Sequence, residues 1–303
     1  MMAQPLIITV FGATGSQGGA VARTLARDPN IRVRAVTSTL DSNRPQQLVQ
    51  NEGVDIRQCN LDDVYSIKMA LDGTDACFLV TYTDFKDPSC KENEIRQGRL
   101  IADACAMAGV KHVVFSTQLH AKRMLGIEVR HLDAKAEIED YLYEKKLPLT
   151  CIMVPCYYEE FMGLFRPDQV DQHEYRLSLP IGQAPLDMIC IDNIGDVVRK
   201  IFLCRDMYLN KTVSVCGDKL TIREIAQILT THLKPKTFKE KQISVNDYKM
   251  LDFPGVRDWA NMFYFFCRVD QRYNVASTRQ MNPNLLSFED WVRQNVDVLH
   301  KAL

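Results

Sequence analysis

The run Leu6-Ile-Ile-Thr-Val-Phe-Gly-Ala-Thr-Gly-Ser-Gln-Gly-Gly19 decides how the rest of the chain is read. Leu6–Phe11 is apolar and β-branched enough for a buried strand, and the residues from about Gln17 to Arg27 are patterned as a helix. Between them Gly12, Gly15 and Gly18 make a G-x-x-G-x-x-G turn. Gly12 permits a tight turn, and Gly15 lets the backbone approach a ligand with no Cβ in the way. Gly18 lets the helix lie close to the strand. The unpaired N–H groups of the helix's first turn, with its dipole, then form an anion site. An ordinary tight turn with spare glycines is the plain alternative. The strand before and the helix after favour a pyrophosphate-binding turn, so a dinucleotide is expected on Gly12, Thr14, Gly15, Ser16, Gln17 and Gly18.

Outward from this turn the first half alternates strands and helices. Strands are expected at Val33–Val36, Asp55–Cys59, Ala76–Val80, His112–Ser116 and Leu149–Val154, with Pro155 ending the last. Helices are expected near Val64–Leu71, Glu92–Ala108 and Glu128–Glu144. Near-continuous apolar strands alternating with helices indicate an α/β, Rossmann-type doubly wound parallel sheet. After Pro155 the rhythm changes. Tyr157–Pro185 reads as aromatic, proline-rich loops that shape a pocket. Ile191–Leu203 is helical, Lys211–Cys216 is a strand able to rejoin the main sheet, and Thr221 caps a helix with Glu224 three residues on. A last helix spans about Ser287–Leu299. The expected domains are therefore 1–155, completed by a strand near 211–216, and a smaller, mixed, discontinuous lobe at 156–303.

The 303 residues carry 37 Lys plus Arg against 38 Asp plus Glu, a net charge of −1. Neither half has the basic excess that phosphate-backbone binding needs, which disfavours direct nucleic-acid contact. The longest apolar run, Met262–Cys267, is far too short for a membrane span and reads as a face packed on the lobe or on a partner. The start of the chain lacks a secretory pattern. Ten cysteines with no C-x-x-C pair then read as reduced, mostly buried residues of a cytoplasmic protein; Cys156 reads as a buried, inert thiol, with a redox-sensitive one as the alternative. The six histidines show no metal-ligand spacing.

Which dinucleotide is bound depends on the end of the second strand. An acidic residue there would meet the 2′-hydroxyl of NAD, and a basic one the 2′-phosphate of NADP. The strand ends Val36-Thr37-Ser38-Thr39, with neither. NADP(H) is favoured over NAD(H), held by Ser38, Thr37 and the more distant Arg44, while Arg34 lies inside the strand and is poorly placed. Asp62 and Asp63, after the third strand, suit either an adenine amino group or plain solvent.

Taken together, Gly12–Gly19, Ile95-Arg-Gln-Gly98, His131-Leu-Asp-Ala-Lys135 and Pro155-Cys-Tyr-Tyr-Glu159 resemble the NmrA-like proteins, atypical relatives of the short-chain dehydrogenases. Asp252–Val256 and Asp258–Phe263 resemble the NADPH-sensing mammalian branch of that family. The resemblance implies NADPH preference, a redox-responsive homodimer, and regulatory rather than catalytic work in cytoplasm and nucleus. It also implies protein partners such as a transcription factor or a metabolic enzyme like argininosuccinate synthase. The family's basic residue for the 2′-phosphate is replaced by Ser38, and a second basic position falls near Ser42. Arg96 and Lys135 match cofactor-contacting basic positions, and Pro155, Cys156, Tyr157 and Tyr158 match a loop beside the nicotinamide ribose.

Active short-chain reductases use Tyr-x-x-x-Lys, which places both groups on one helix face. Here the pair is His131-x-x-x-Lys135. Imidazole can transfer protons near neutrality, but it reaches less far than a phenol, and a neighbouring ammonium favours its neutral form. His131 is therefore read as filling the tyrosine's place, and Lys135 as a ribose ligand or, as isoflavone-reductase relatives imply, a lone catalytic acid. Ser116 occupies the usual catalytic serine's place and reads as a cofactor- or pocket-lining hydroxyl. The expectation is a dinucleotide-binding regulator with little turnover. The alternative is an NADPH-dependent reductase of small quinones or carbonyls that uses Lys135.

Overall fold

The computed structural model describes residues 4–38, 43, 48 and 52–303. They fall into two compact units, one built from residues up to 120, 130–153 and 192–213, the other from 121–129, 154–191 and 214–303.

In the first unit β1 (Leu6–Val10) leads into α1 (Ser16–Ala26), followed by β2 (Ile31–Thr37), β3 (Asp55–Gln58), α2 (Val64–Ala70), β4 (Ala76–Leu79) and α3 (Cys90–Ala108). Then come β5 (His112–Thr117), α4 (Arg130–Glu144), β6 (Leu149–Met153), α5 (Ile191–Leu203) and β7 (Thr212–Ser214). The seven strands lie in the order β7-β6-β5-β4-β1-β2-β3. β1 pairs in parallel with both β2 and β4, and parallel pairing continues from β2 to β3, β4 to β5 and β5 to β6. The fold is thus the expected doubly wound Rossmann type, with its topological switch between β1 and β4. Strands covered on both faces must be apolar throughout, and β4, β5 and β6 are buried along their whole length. β3, at the edge, is half exposed and correspondingly the least apolar.

The helices approach one another closely where side chains are missing. A Cβ at Gly98 on α3 would lie 2.5 Å from Ile138 Cδ1 and 2.6 Å from its Cγ1, so this glycine lets α3 and α4 pack almost backbone to side chain.

The second unit has two small sheets. One joins Asp218–Leu220, Leu186–Ile189 and Cys156–Tyr157; the other joins Thr237–Glu240, Glu174–Leu177 and Asp168–Gln169. Ile222–His232 is helical and begins with the anticipated box, in which Thr221 Oγ1 accepts from the Glu224 N–H and the Glu224 carboxylate from the Thr221 N–H. Its core is aromatic: Tyr158, Phe161, Phe165, Phe263, Phe288 and Trp291 are buried in successive ring contacts. Of the two expectations for Met262–Cys267, packing on the lobe is the one found. Met262, Phe263 and Phe265 are buried within their own unit, on the helix Val256–Phe266. The expected single C-terminal helix is broken at Asn295 into Phe288–Gln294 and Val296–Ala302.

Overpacking the α3–α4 contact should be measurable. Gly98→Ala is expected to lower the free energy of unfolding by about 1–3 kcal/mol in a urea titration. Combined with Ile138→Ala, the loss should fall short of the sum of the two single changes by at least about 0.5 kcal/mol, because the clashing atoms are gone.

Candidate functional site

The site begins at the C-terminal end of β1. Gly12 turns with φ +69°, in the left-handed region, and a Cβ there would meet Val80 Cγ1 at 2.8 Å and the Val80 carbonyl at 3.0 Å. The Gly15 N–H donates to the Gly12 carbonyl at 2.9 Å. A Cβ on Gly18 would sit 2.2 Å from the same carbonyl oxygen, so only glycine lets α1 start this close to the strand. Gly15 is the N-cap of α1 and has no side chain to cap it, and the first turn holds no carboxylate. The positive end of the helix dipole therefore meets this turn with no acidic side chain and no side-chain cap, which suits an anion. These residues fit the pyrophosphate of a dinucleotide, on a helix start that a side chain at position 18 would push off the turn.

Gln17 and Ser116 come together across 99 positions. Gln17 Nε2 donates to Ser116 Oγ at 2.9 Å, and both side chains are buried. Ser116, next to last in β5, is thereby tied to the start of α1.

The next feature centres on a residue that sequence reading passed over. The Glu94 side chain, on α3, is wholly shielded from solvent. Its carboxylate accepts from Lys135 Nζ at 2.6 Å, from Thr81 Oγ1 at 2.5 Å, and from the Thr83 hydroxyl. Lys135 Nζ also donates to the Thr81 carbonyl at 3.4 Å. Burial alone would raise the Glu94 carboxyl, but the Lys135 charge and the donated hydrogen bonds outweigh it and hold the group below its ordinary value of 4.5. The available signal was spacing: Glu94 lies one turn before Gly98, on the face of α3 that meets α4. His131, one turn before Lys135, is half-buried with its ring edge-on to Phe85 at 5.4 Å between centroids.

Asp62 and Arg96 are brought into a direct ion pair at 2.6 Å, with Gln97 also donating to Asp62 at 3.0 Å. The Gln97 hydrogen bond, followed by Arg96, holds the Asp62 carboxyl below the usual range. Asp63 serves as the N-cap of α2, accepting from the Tyr65 N–H at 2.9 Å. Arg34 is engaged elsewhere, since its guanidinium donates to the carbonyls of Ala70 and Asp72 at the end of α2. Ser38 is exposed just past β2, and its carbonyl accepts from Gln58 Nε2 at 3.3 Å. Thr39, Ser42 and Arg44 lie outside the described residues.

Pro155, Cys156, Tyr157 and Tyr158 belong to the second unit. Tyr158 is fully buried there, edge-on to Phe288, with its hydroxyl donating to the Leu286 carbonyl at 3.2 Å. Its ring is therefore packed in the core, as is that of Phe161. Burial pushes the Cys156 thiol and the Tyr157 phenol well above their ordinary values. All ten cysteines are free. Among the described residues no cluster of metal-ligating groups occurs, and no helix is long and apolar enough to cross a membrane.

A model of the NmrA-like family matches residues 6–292. An NmrA-like family domain-containing protein of Dictyostelium discoideum is 28% identical over 74% of this chain and 76% of its own length. An NmrA-like family domain-containing oxidoreductase of Aspergillus hancockii is 30% identical over 84% of this chain and 80% of its own. Among solved structures, the negative transcriptional regulator NmrA in complex with NADP superposes with a TM-score of 0.84 at 18% identity, covering 99% of this chain and 98% of that one.

The depressed Glu94 carboxyl has a consequence for stability. Its pairing stabilises the fold fully above the ordinary glutamate value of 4.5 and is lost as pH falls through the lower folded value. Glu94→Gln should therefore lose less stability than the parent protein when urea midpoints are compared at about pH 6 and about pH 3.5.

Proposed function

The chain belongs to the NmrA-like family, and from that premise we propose that it is an NADP(H)-binding regulatory protein with little or no turnover. In this reading cofactor occupancy controls dimerisation and the binding of protein partners, such as a transcription factor or a metabolic enzyme, in cytoplasm and nucleus. The glycine turn fits the cofactor: the uncapped first turn of α1 would hold the pyrophosphate, Lys135 the ribose next to nicotinamide, and Asp62 with Arg96 the adenosine end. Bound there, the nicotinamide would supply a transferable hydride. What supports regulation over catalysis is one observation: the tyrosine place is taken by His131, while Lys135 is held at 2.6 Å by a buried carboxylate. A lysine so held suits binding better than proton delivery. Occupancy can act as a signal only if cofactor affinity differs between two states of the protein.

The second reading is an NADPH-dependent reductase of small quinones or carbonyls that uses Lys135. It is favoured by the name oxidoreductase carried by relatives such as the Aspergillus hancockii protein.

Titration with NADPH, NADP, NADH and NAD is expected to show binding, tightest for the phosphorylated pair. A quinone and aldehyde panel should produce no sustained loss of NADPH absorbance. Sustained turnover that disappears in Lys135→Ala would transfer the assignment to the reductase. Ser38→Arg should tighten NADPH by about tenfold or more while leaving NADH nearly unchanged, since a charge-assisted contact to the 2′-phosphate is gained.

A further inference from the structure

We propose that Glu94 is the positioning residue for Lys135. As a buried carboxylate steadied by Thr81 and Thr83, it fixes the lysine ammonium where a dinucleotide's ribose hydroxyls would be met. The inference rests on dinucleotide binding at the glycine turn and extends it to a residue that touches no ligand.

Three features of the structure carry it. The pair is asymmetric, for the Glu94 side chain is fully shielded while that of Lys135 keeps 15% of its surface in contact with solvent. The carboxylate is thus spent on the protein, and the ammonium remains reachable. An ammonium has three N–H donors, and Lys135 gives one to Glu94 and one to the Thr81 carbonyl, which leaves a third for a ligand. Stability does not account for the arrangement, because a buried ion pair is on average no more stabilising than apolar residues of the same volume. Four polar groups from three segments (Thr81 and Thr83 after β4, Glu94 on α3, Lys135 on α4) converge where two apolar side chains would serve packing equally well.

The geometry is set by the helices. Gly98, one turn after Glu94, admits Ile138, which lies three residues beyond Lys135. A second α3–α4 ion pair, Lys91 with Glu137 at 2.9 Å, spans the same two helices and supplies an internal reference.

The test is the acylation rate of individual lysines in the cofactor-free protein, followed by peptide mass spectrometry, in parallel with NADPH titration. In Glu94→Gln the acylation of Lys135 should rise about tenfold while that of Lys91 stays within about twofold, and NADPH should bind about tenfold more weakly. Glu94→Asp, which keeps the charge, should recover part of both changes. Equal acylation of Lys135 in the parent and Glu94→Gln overturns the proposal, as does a rise shared equally with Lys91, which would mark general loosening of α3 and α4. If the parent protein binds no dinucleotide, the functional reading fails while the acylation comparison still decides the role of Glu94. Should Glu94→Gln not fold, Thr83→Val removes one support and should raise Lys135 acylation about twofold to threefold; no rise there also overturns it.

Discussion

The first unit depends on the absence of one side chain. A Cβ at Gly18 would lie 2.2 Å from the carbonyl oxygen of Gly12, well inside van der Waals contact. Because position 18 is bare, α1 can start directly above the end of β1. The sheet can then continue on both sides of β1 with helices packed on it. The same closeness leaves the first-turn amides of α1 with no side-chain cap at the topological switch between β1 and β4. Packing and anion recognition meet in one turn: bare Gly18 seats α1 on β1, and Gly15 at the N-cap brings no side chain to the helix's positive end.

A second bare position works at a distance from the first. Gly98 sets the approach of α3 to α4, and that approach puts Glu94 within reach of Lys135. The cluster is polar but well satisfied, with three donors meeting one carboxylate, as burial of a charge demands. The carboxyl is held below its ordinary value in spite of desolvation. One turn before Lys135, the helix position that holds tyrosine in a Tyr-x-x-x-Lys pair carries His131 here, set edge-on to Phe85.

The second unit solves a different problem. Its sheets have three strands each, too small to bury much surface, and its stability comes from rings packed around Tyr158, Phe161, Phe263 and Phe288. That is why the segment after Pro155 looks pocket-like in sequence. Large aromatic residues without a period of 2 or 3.6 serve equally well as a lining or as a core, and only the contacts tell the two apart.

What the sequence by itself determined was local in origin. Strand and helix alternation, the glycine turn, the capping box at Thr221 and the missing acid or base after β2 follow from backbone preferences and periods spanning a few residues. These were enough for the fold class and for the dinucleotide expectation. Tertiary structure alone decided how side chains far apart in the chain combine. It paired Glu94 with Lys135 across 41 positions and Gln17 with Ser116 across 99. It also turned Arg34 onto the end of α2, made Asp63 a cap and took the ring of Tyr158 into a core. No local pattern encodes such pairs. Whether two charged groups meet depends on the separation of two helices, and that separation is set by the side chain that Gly98 lacks.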